Sequence, residues 1–300
     1  SNGFRPAPEP TPPMLHTRIV TALVLLAILL PALFAASPVP FIALTLLFIA
    51  AAAWEWARLN GVAGAGALAT GALCAMLCAG LWRAGAVESS LPALWIAVGA
   101  AWVLGSVWLL GRGVPAWGRL PRALRWVLGL AMLCAAWLAL AQARRAGINF
   151  LLSVLVLVWA ADVFAYFAGR ALGGRFTRGR KLAPSISPGK SWEGVWGGML
   201  GVLAVGAGWI SWDGAHADGA ASLYSRLYAF GLAGLVGGVV FLVGMSVAGD
   251  LIESLVKRSA GQKDSSQLLP GHGGVLDRID ALLPTLPLAM LLVSVVSRYA

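Results

Sequence analysis

Long apolar runs separated by short polar joints dominate this chain of 300 residues. A helix needs about 20 apolar residues to cross a bilayer. Nine runs approach or exceed that length, at 19–35, 38–56, 62–82, 91–111, 124–143, 148–169, 194–212, 227–249 and 281–298. With 59% hydrophobic and only 11% charged residues, the chain lies outside the soluble globular class. The sequence therefore predicts an all-α, polytopic integral membrane protein with about nine transmembrane helices.

The distribution of basic residues supports this count. Nine spans place the two chain ends on opposite sides of the membrane, and 17 of the 22 Lys and Arg residues then fall on the side of the N-terminus. Because cytoplasmic loops carry an excess of Lys and Arg, the N-terminus is predicted to be cytoplasmic. The net charge of +10 is thus mainly a topology signal. It favours contact with the lipid bilayer and predicts no nucleic-acid partner.

Composition divides the chain into three segments. Residues 1–14 are polar and Pro-rich, and they are predicted to form a disordered extension. Residues 15–145 hold almost no ionisable side chain inside their spans, so we interpret them as structural transmembrane helices that face lipid or support oligomerisation. Residues 146–300 are predicted to be the catalytic transmembrane region, with cytoplasmic loops at 170–193 and 251–280.

Two small groups in the first half have simple interpretations. Glu55 and Arg58 lie three residues apart at a predicted helix end, which is typical of an interfacial ion pair. Cys74, Cys78 and Cys134 lie inside apolar spans, and we expect no His or further Cys near Cys74 and Cys78 that could complete a metal site. We expect small buried apolar residues there, with no disulfide.

Near the C-terminus, residues 254–280 hold four basic side chains, three aspartates and a histidine. Asp277 and Asp280 share a helix face at this spacing, and Asp250 ends the eighth predicted span. Carboxylates that close repel one another unless a cation lies between them. Acidic oxygens without neighbouring cysteines suit Mg²⁺ better than zinc. This block predicts metal-assisted chemistry on an anionic substrate.

The loop 170–193 is basic and rich in hydroxyl groups. Pro184 and Pro188 exclude a regular helix there. The sequence Gly189-Lys190-Ser191 is similar to part of a phosphate-binding loop, but Pro184 stands where the Walker pattern needs glycine, so we reject a P-loop ATPase. The loop precedes a helix whose N-terminal amides favour anions, and an even number of spans puts it on the same side as 251–280.

Asp162 is the one carboxylate predicted deep inside a span of the second half. It lies eight residues before Arg170, about 12 Å below the helix end. Because a carboxylate at that depth is costly without water or a partner, we expect it to line a polar cavity. The alternative is a protonated or helix-bonded Asp that packs the bundle.

Together these segments resemble the bacterial phosphatidate cytidylyltransferase family, also called CDP-diacylglycerol synthase. The resemblance covers roughly residues 15–300. It is carried by Ser254, Lys257-Arg258, Lys263-Asp264, Pro270, His272-Gly273-Gly274 and Asp277-Arg278-Ile279-Asp280, with Lys181 to Gly194 and Trp159 to Asp162 upstream.

The resemblance implies transfer of CMP from CTP to phosphatidic acid, which gives CDP-diacylglycerol and pyrophosphate for phospholipid biosynthesis. It implies Mg²⁺ as cofactor, with a second, monovalent cation such as K⁺ as a further expectation. It also implies a homodimer in the bacterial inner membrane, with the active site facing the cytoplasm.

Residue roles follow by position from the same resemblance. The metal ligands would be Asp250, Asp277 and Asp280. Phosphate binding and catalysis would fall to Lys257, Arg258, Lys263 and Arg278. His272 would contact phosphate, support the loop or act in acid–base chemistry. Further substrate-binding positions would be Asp162, Lys181, Lys190, Ser191, Ser254, Asp264, Gly273 and Gly274.

Two other function classes fit the sequence less well. A transporter or channel for anions would spread ionisable residues along the membrane depth, whereas here they gather on one face with Asp162 alone deeper. An alcohol phosphatidyltransferase would carry an Asp-Gly-x₂-Ala-Arg pattern followed by two aspartates, which this sequence lacks.

Overall fold

The structure is a computed structural model that describes residues 15–216 and 219–299. The predicted extension at 1–14 lies outside the described residues. The elements in chain order are α1 (Leu15–Phe34), α2 (Val39–Leu59), α3 (Gly64–Arg83), α4 (Pro92–Arg112), α5 (Val114–Arg119), α6 (Arg122–Ala146), α7 (Ile148–Leu172), β1 (Lys181–Ala183), β2 (Ser187–Ser191), α8 (Trp192–Ala215), α9 (Leu223–Tyr228), α10 (Gly231–Ser259), α11 (Leu276–Ile279) and α12 (Leu282–Tyr299).

The predicted number of membrane spans is confirmed. Within the described residues, nine helical segments are long and apolar enough to cross a membrane. Eight of them are the long helices from α1 to α10, and the ninth, Leu276–Val295, combines α11 with most of α12. The chain is therefore an all-α polytopic membrane protein.

One predicted boundary is wrong in a way that matters for the site. The eighth span was expected to end near Asp250, but α10 continues to Ser259. Its last turns stay helical because Leu251, Ile252 and Leu255 are buried on one face while Arg258 is exposed on the other. Asp250 consequently lies within a helix and not at its end.

The loops divide between the two ends of the bundle as nine spans require. At one end, called the charged end below, Thr21 near the start of α1 donates a hydrogen bond to the Pro270 carbonyl at 3.0 Å. At the opposite end, Arg145 pairs with Glu88 at 2.9 Å. The helix ends and loops that were predicted to share one side therefore meet in space.

The charged end contains a β-hairpin that the sequence did not predict. β1 and β2 pair antiparallel, with Lys181 opposite Ser191 and Ala183 opposite Ser187. The prolines do exclude a helix, as expected. A two-stranded ribbon of this length has too few residues for a clear alternation pattern, so only the structure reveals it.

Small residues let α7 and α8 pack closely beside the hairpin. A side chain at Gly198 would place its Cβ 2.9 Å from the Ala161 carbonyl, and one at Gly194 would come equally close to the Ala165 carbonyl. Close packing of this kind is common between membrane helices. It fixes the hairpin, which leads directly into α8, next to the wall of α7 that carries Asp162.

The three cysteines are free and buried, as their apolar surroundings predicted. The expectation that no further Cys lies close to Cys74 and Cys78 is wrong in space. Cys134 on α6 places its Sγ 3.8 Å from Cys74 Sγ across the contact between α3 and α6. A sequence separation of 60 residues hid this neighbour.

Candidate active site

Two loops belong to the charged end: loop 1, residues 173–191, and loop 2, residues 260–275. Lys190 of loop 1 reaches α10, where its Nζ lies 2.5 Å from Asp250 Oδ2. Both side chains are partly exposed, at 25% and 31%. This contact joins the basic loop to the carboxylate-bearing helix.

A cavity of about 520 Å³ lies beside that contact. Asp162 and Arg170 from α7, Lys190 and Ser191 from the hairpin, and Val247 from α10 are among its lining residues. Asp162 is exposed to the cavity. The cavity therefore combines polar and charged groups with apolar walls, which suits a ligand that has a charged head and an apolar remainder.

Asp250 and Asp280 come together where α10 meets the start of α12. Gly249 makes this approach possible, since a Cβ there would lie 2.6 Å from the Asp280 carbonyl oxygen. Ser254 donates to Asp250 at 3.3 Å, and Asp280 accepts from the Ala281 amide at 2.7 Å. The Lys190 ammonium lies beside Asp250.

Lys257 lies between two other carboxylates, deeper in the protein. Its Nζ is 2.6 Å from Asp277 Oδ1 and also pairs with Glu253, one helical turn earlier on α10. The exposed fractions of these three side chains are only 12%, 7% and 3% for Lys257, Asp277 and Glu253. Removing one member of such a buried group leaves an uncompensated charge.

Asp277 is also bound by the backbone of loop 2. Its oxygens accept from the Ser265 amide, the Ser265 hydroxyl and the Gly274 amide at 3.0, 2.9 and 2.8 Å. Gly273 adopts φ +82°, and a Cβ there would lie 2.8 Å from Asp277 Oδ2. The glycine pair thus allows the loop to close around the carboxylate.

Glu55 of α2 binds the other side of loop 2, and the predicted ion pair with Arg58 is wrong. The carboxylate is fully buried and accepts from Ser265 Oγ, Ser266 Oγ and the amides of Val275 and Leu276, at 3.2, 2.5, 3.0 and 2.6 Å. The Arg58 guanidinium instead lies over the Trp54 ring, 4.6 Å from its centroid. The sequence contained one indication that Glu55 has a special role, since it is the only acidic residue inside the predicted spans of the first half.

Glu193, at the start of α8, binds loop 1 in a similar way. It is 2% exposed and accepts through Oε1 from the Phe176 amide, the Thr177 amide and the Thr177 hydroxyl, at 3.1, 3.0 and 2.8 Å. Ser191 caps α8 by accepting from the Gly194 amide at 3.2 Å. Glu193 lies inside the segment from Lys181 to Gly194 that carries the family resemblance, but no role was predicted for it.

The remaining predicted residues lie around loop 2 and the hairpin. Lys263 and Asp264 line a second cavity, of about 460 Å³, together with Arg58. Arg278 donates two hydrogen bonds to the His272 carbonyl, at 3.0 and 2.7 Å. The Nδ1 atom of His272 is buried and has no hydrogen-bond partner among the described residues. Lys181 and Arg258 are exposed; Lys181 pairs with Ser191 across the hairpin, and Arg258 donates to the Gln262 carbonyl at 3.5 Å.

The three aspartates proposed as metal ligands do not form one cluster in the structure. Among the described residues, the only group of three ligand-type side chains whose atoms all lie within 4.8 Å of one another is the cysteine cluster. Asp250 and Asp280 adjoin and offer the oxygen donors that Mg²⁺ prefers. Both oxygens of Asp277 are already engaged, Oδ1 by Lys257 of α10 and Oδ2 by the Ser265 and Gly274 amides of loop 2.

Comparison with known proteins identifies what this chain is similar to. The sequence matches the cytidylyltransferase family over residues 16–296. It is 40% identical over 283 residues to a phosphatidate cytidylyltransferase of Pseudomonas aeruginosa, covering 91% of this chain and 95% of that protein. A phosphatidate cytidylyltransferase of Haemophilus influenzae is 48% identical over 141 residues, which is 47% of this chain and 44% of that protein. One of Brucella abortus is 39% identical over 189 residues, which is 63% and 60% of the two chains.

Proposed function

The chain belongs to the cytidylyltransferase family, and we propose that it transfers CMP from CTP to phosphatidic acid at the charged end of the bundle. The products are CDP-diacylglycerol and pyrophosphate. The observation that supports this site best is the contact between Lys190 and Asp250. It brings a basic loop and a carboxylate pair to the rim of one cavity.

The reaction joins two anions. An oxygen of the phosphatidic acid phosphate attacks the α-phosphorus of CTP, a new P–O bond forms, and the bond from the α-phosphorus to the bridging oxygen breaks as pyrophosphate leaves. Because the second phosphate pKa is about 6, the attacking oxygen is already anionic near neutral pH. Positioning and charge neutralisation are therefore the main tasks of the protein.

Basic groups of the cavity suit those tasks. Lys190 and Arg170 line it, and both are free to exchange their present partners for phosphate oxygens because they are partly or fully exposed. The Arg170 guanidinium donates to the Tyr166 hydroxyl at 3.0 Å, which directs it along the cavity wall. Apolar wall residues such as Val195 and Val247 suit the lipid part of the substrate.

Asp250 and Asp280 are the residues that would hold Mg²⁺. The metal would neutralise phosphate charge in the transition state. Lys190 is beside Asp250, so it is placed to exchange its carboxylate partner for a nucleotide phosphate. Participation of Asp277, the second monovalent cation and the homodimer stay predictions.

The orientation in the membrane follows from the basic residues. We assign the charged end to the cytoplasmic side of the bacterial inner membrane, because most Lys and Arg residues gather there. CTP would then reach the cavity from the cytosol, and phosphatidic acid would enter from the adjoining leaflet.

A direct assay tests this function. The purified protein in detergent is incubated with phosphatidic acid and CTP labelled at the α-phosphate, with and without Mg²⁺. We expect labelled CDP-lipid only with Mg²⁺, and less product from Asp250→Asn. A folded preparation that makes no labelled lipid from either phosphatidic acid or its shorter-chain forms would refute the proposal.

A further inference from the structure

We propose that Glu55 is a positioning residue for loop 2, so that the first half of the chain sets the geometry of the nucleotide site. This inference rests on the proposed function. Four groups lie within hydrogen-bond distance of the Glu55 carboxylate: the hydroxyls of Ser265 and Ser266 inside loop 2, and the amides of Val275 and Leu276 where loop 2 leads into α11. The Ser265 hydroxyl is shared with Asp277. One carboxylate therefore ties the middle of the loop to the start of α11.

The binding pattern requires a carboxylate and no other group. Oε1 accepts from Ser266 Oγ and the Val275 amide, while Oε2 accepts from Ser265 Oγ and the Leu276 amide. A glutamine in either orientation would point an NH₂ group at one backbone N–H, that of Val275 or that of Leu276, although the neighbouring serine hydroxyl could turn to accept from it. In the described part of the chain no lysine or arginine pairs with Glu55, so these hydrogen bonds alone stabilise its buried charge.

A chain of contacts leads from Glu55 to Asp277 and Lys257. Ser265 Oγ contacts Glu55 Oε2 and Asp277 Oδ2, at 3.2 and 2.9 Å, and Asp277 in turn binds Lys257. Ser265 and Ser266 also line the second cavity beside Lys263. Displacing the serines would therefore move both the cavity wall and the partners of Asp277.

Gly274 of loop 2 also packs tightly against Glu55. A Cβ at Gly274 would collide with Ser265 Oγ and with Glu55 Oε1. The glycine at 274 is thus explained by a residue more than 200 positions earlier in the chain. This close fit leaves no room for Glu55 to be replaced by a larger side chain or for the loop to shift inward.

Kinetics separate positioning from a merely structural role. A variant that only unfolds part of the population lowers kcat and leaves KM unchanged, because the remaining enzyme is normal. Misplacement of loop 2 raises KM for CTP instead. For Glu55→Gln we expect kcat/KM for CTP to fall about tenfold or more, mainly through KM. Ser266→Ala removes one donor to Glu55 and the acceptor of the Leu268 amide, and it should raise KM for CTP about two- to fivefold.

The test compares these two variants with Glu88→Gln, a matched change at the opposite end of the bundle. Trypsin cleavage after Lys263 reports loop order without any activity, and cleavage after Arg178 is the internal reference. We expect faster cleavage at Lys263 only in the Glu55 and Ser266 variants. Unchanged KM together with unchanged cleavage in Ser266→Ala would overturn the inference, even if Glu55→Gln fails to fold. If the wild-type protein makes no CDP-lipid, the proposed function fails, and the cleavage pattern still decides the role of Glu55.

Discussion

Loop 1 and loop 2 are each held by one buried glutamate, but the two glutamates differ in where they come from. Glu193 lies 16–17 residues from its partners in loop 1. Glu55 lies 210–221 residues from its partners in loop 2. Loop 2, which closes around Asp277, is thus fixed by the half of the chain that we interpreted as purely structural.

Lys190 of loop 1 and Lys257 of α10 also differ, in how deeply each is buried. Lys190 pairs with one partly exposed carboxylate, whereas Lys257 is nearly buried between two. Exposed pairs contribute little to stability, and broken buried pairs cost several kcal/mol. We infer that Lys257 stabilises the fold of the site, whereas Lys190 can change its partner and contact the substrate.

The largest effect should come from Lys257→Met. This change leaves Glu253 and Asp277 buried without a counter-charge, and we expect the free energy of unfolding to fall by about 3–5 kcal/mol. Thermal unfolding in detergent measures it, with Lys190→Met as the matched control. Equal losses of stability in the two variants would remove the distinction between the two lysines.

A smaller effect, on turnover and not on folding, is expected from Lys190→Met. The pair that it breaks is partly exposed, so the unfolding free energy should change by less than about 1 kcal/mol. Loss of a charged contact to phosphate, about 1.5–3 kcal/mol, should lower kcat/KM for CTP about 10- to 100-fold. Wild-type kinetics in this variant would contradict phosphate binding by Lys190, and the basic residues of loop 1 would then serve only to set the orientation in the membrane.

The smallest effect should come from Glu193→Gln. Unlike Glu55, Glu193 accepts its three hydrogen bonds through Oε1, and its buried Oε2 has no hydrogen-bond partner within residues 15–216 and 219–299. A glutamine can keep its carbonyl oxygen in the Oε1 position. We expect the unfolding free energy to change by less than about 1 kcal/mol and trypsin cleavage after Arg178 to match the wild type. A loss as large as that of Glu55→Gln would contradict this reading of the two anchors.

The sequence was sufficient for the membrane architecture because hydropathy and charge act over each local segment. It predicted nine spans and which loops share an end. It also indicated that Lys190 and Asp250 could meet, since the parity of the spans puts both at the charged end. The helical extension beyond Asp250 was missed because the apolar run stops there, while one buried face continues.

The roles of Glu55 and Glu193 in holding the two loops were missed for a different reason. The role of Glu55 depends on donors that only the folded chain brings together, so a local interpretation paired it with the nearest basic residue, Arg58. Glu193 and the β1–β2 hairpin lie inside a recognised motif, yet the motif gives no geometry. The proximity of Cys134 to Cys74 was missed because 60 residues separate them in sequence.

Hydrogen–deuterium exchange on Glu55→Ala and Glu193→Ala tests most directly whether one carboxylate holds each loop. Backbone amides at 262–276 should exchange faster in the first variant and those at 173–180 in the second, with each loop unaffected by the other change. Faster exchange in both loops from either substitution, or in neither, would contradict separate anchoring by the two glutamates.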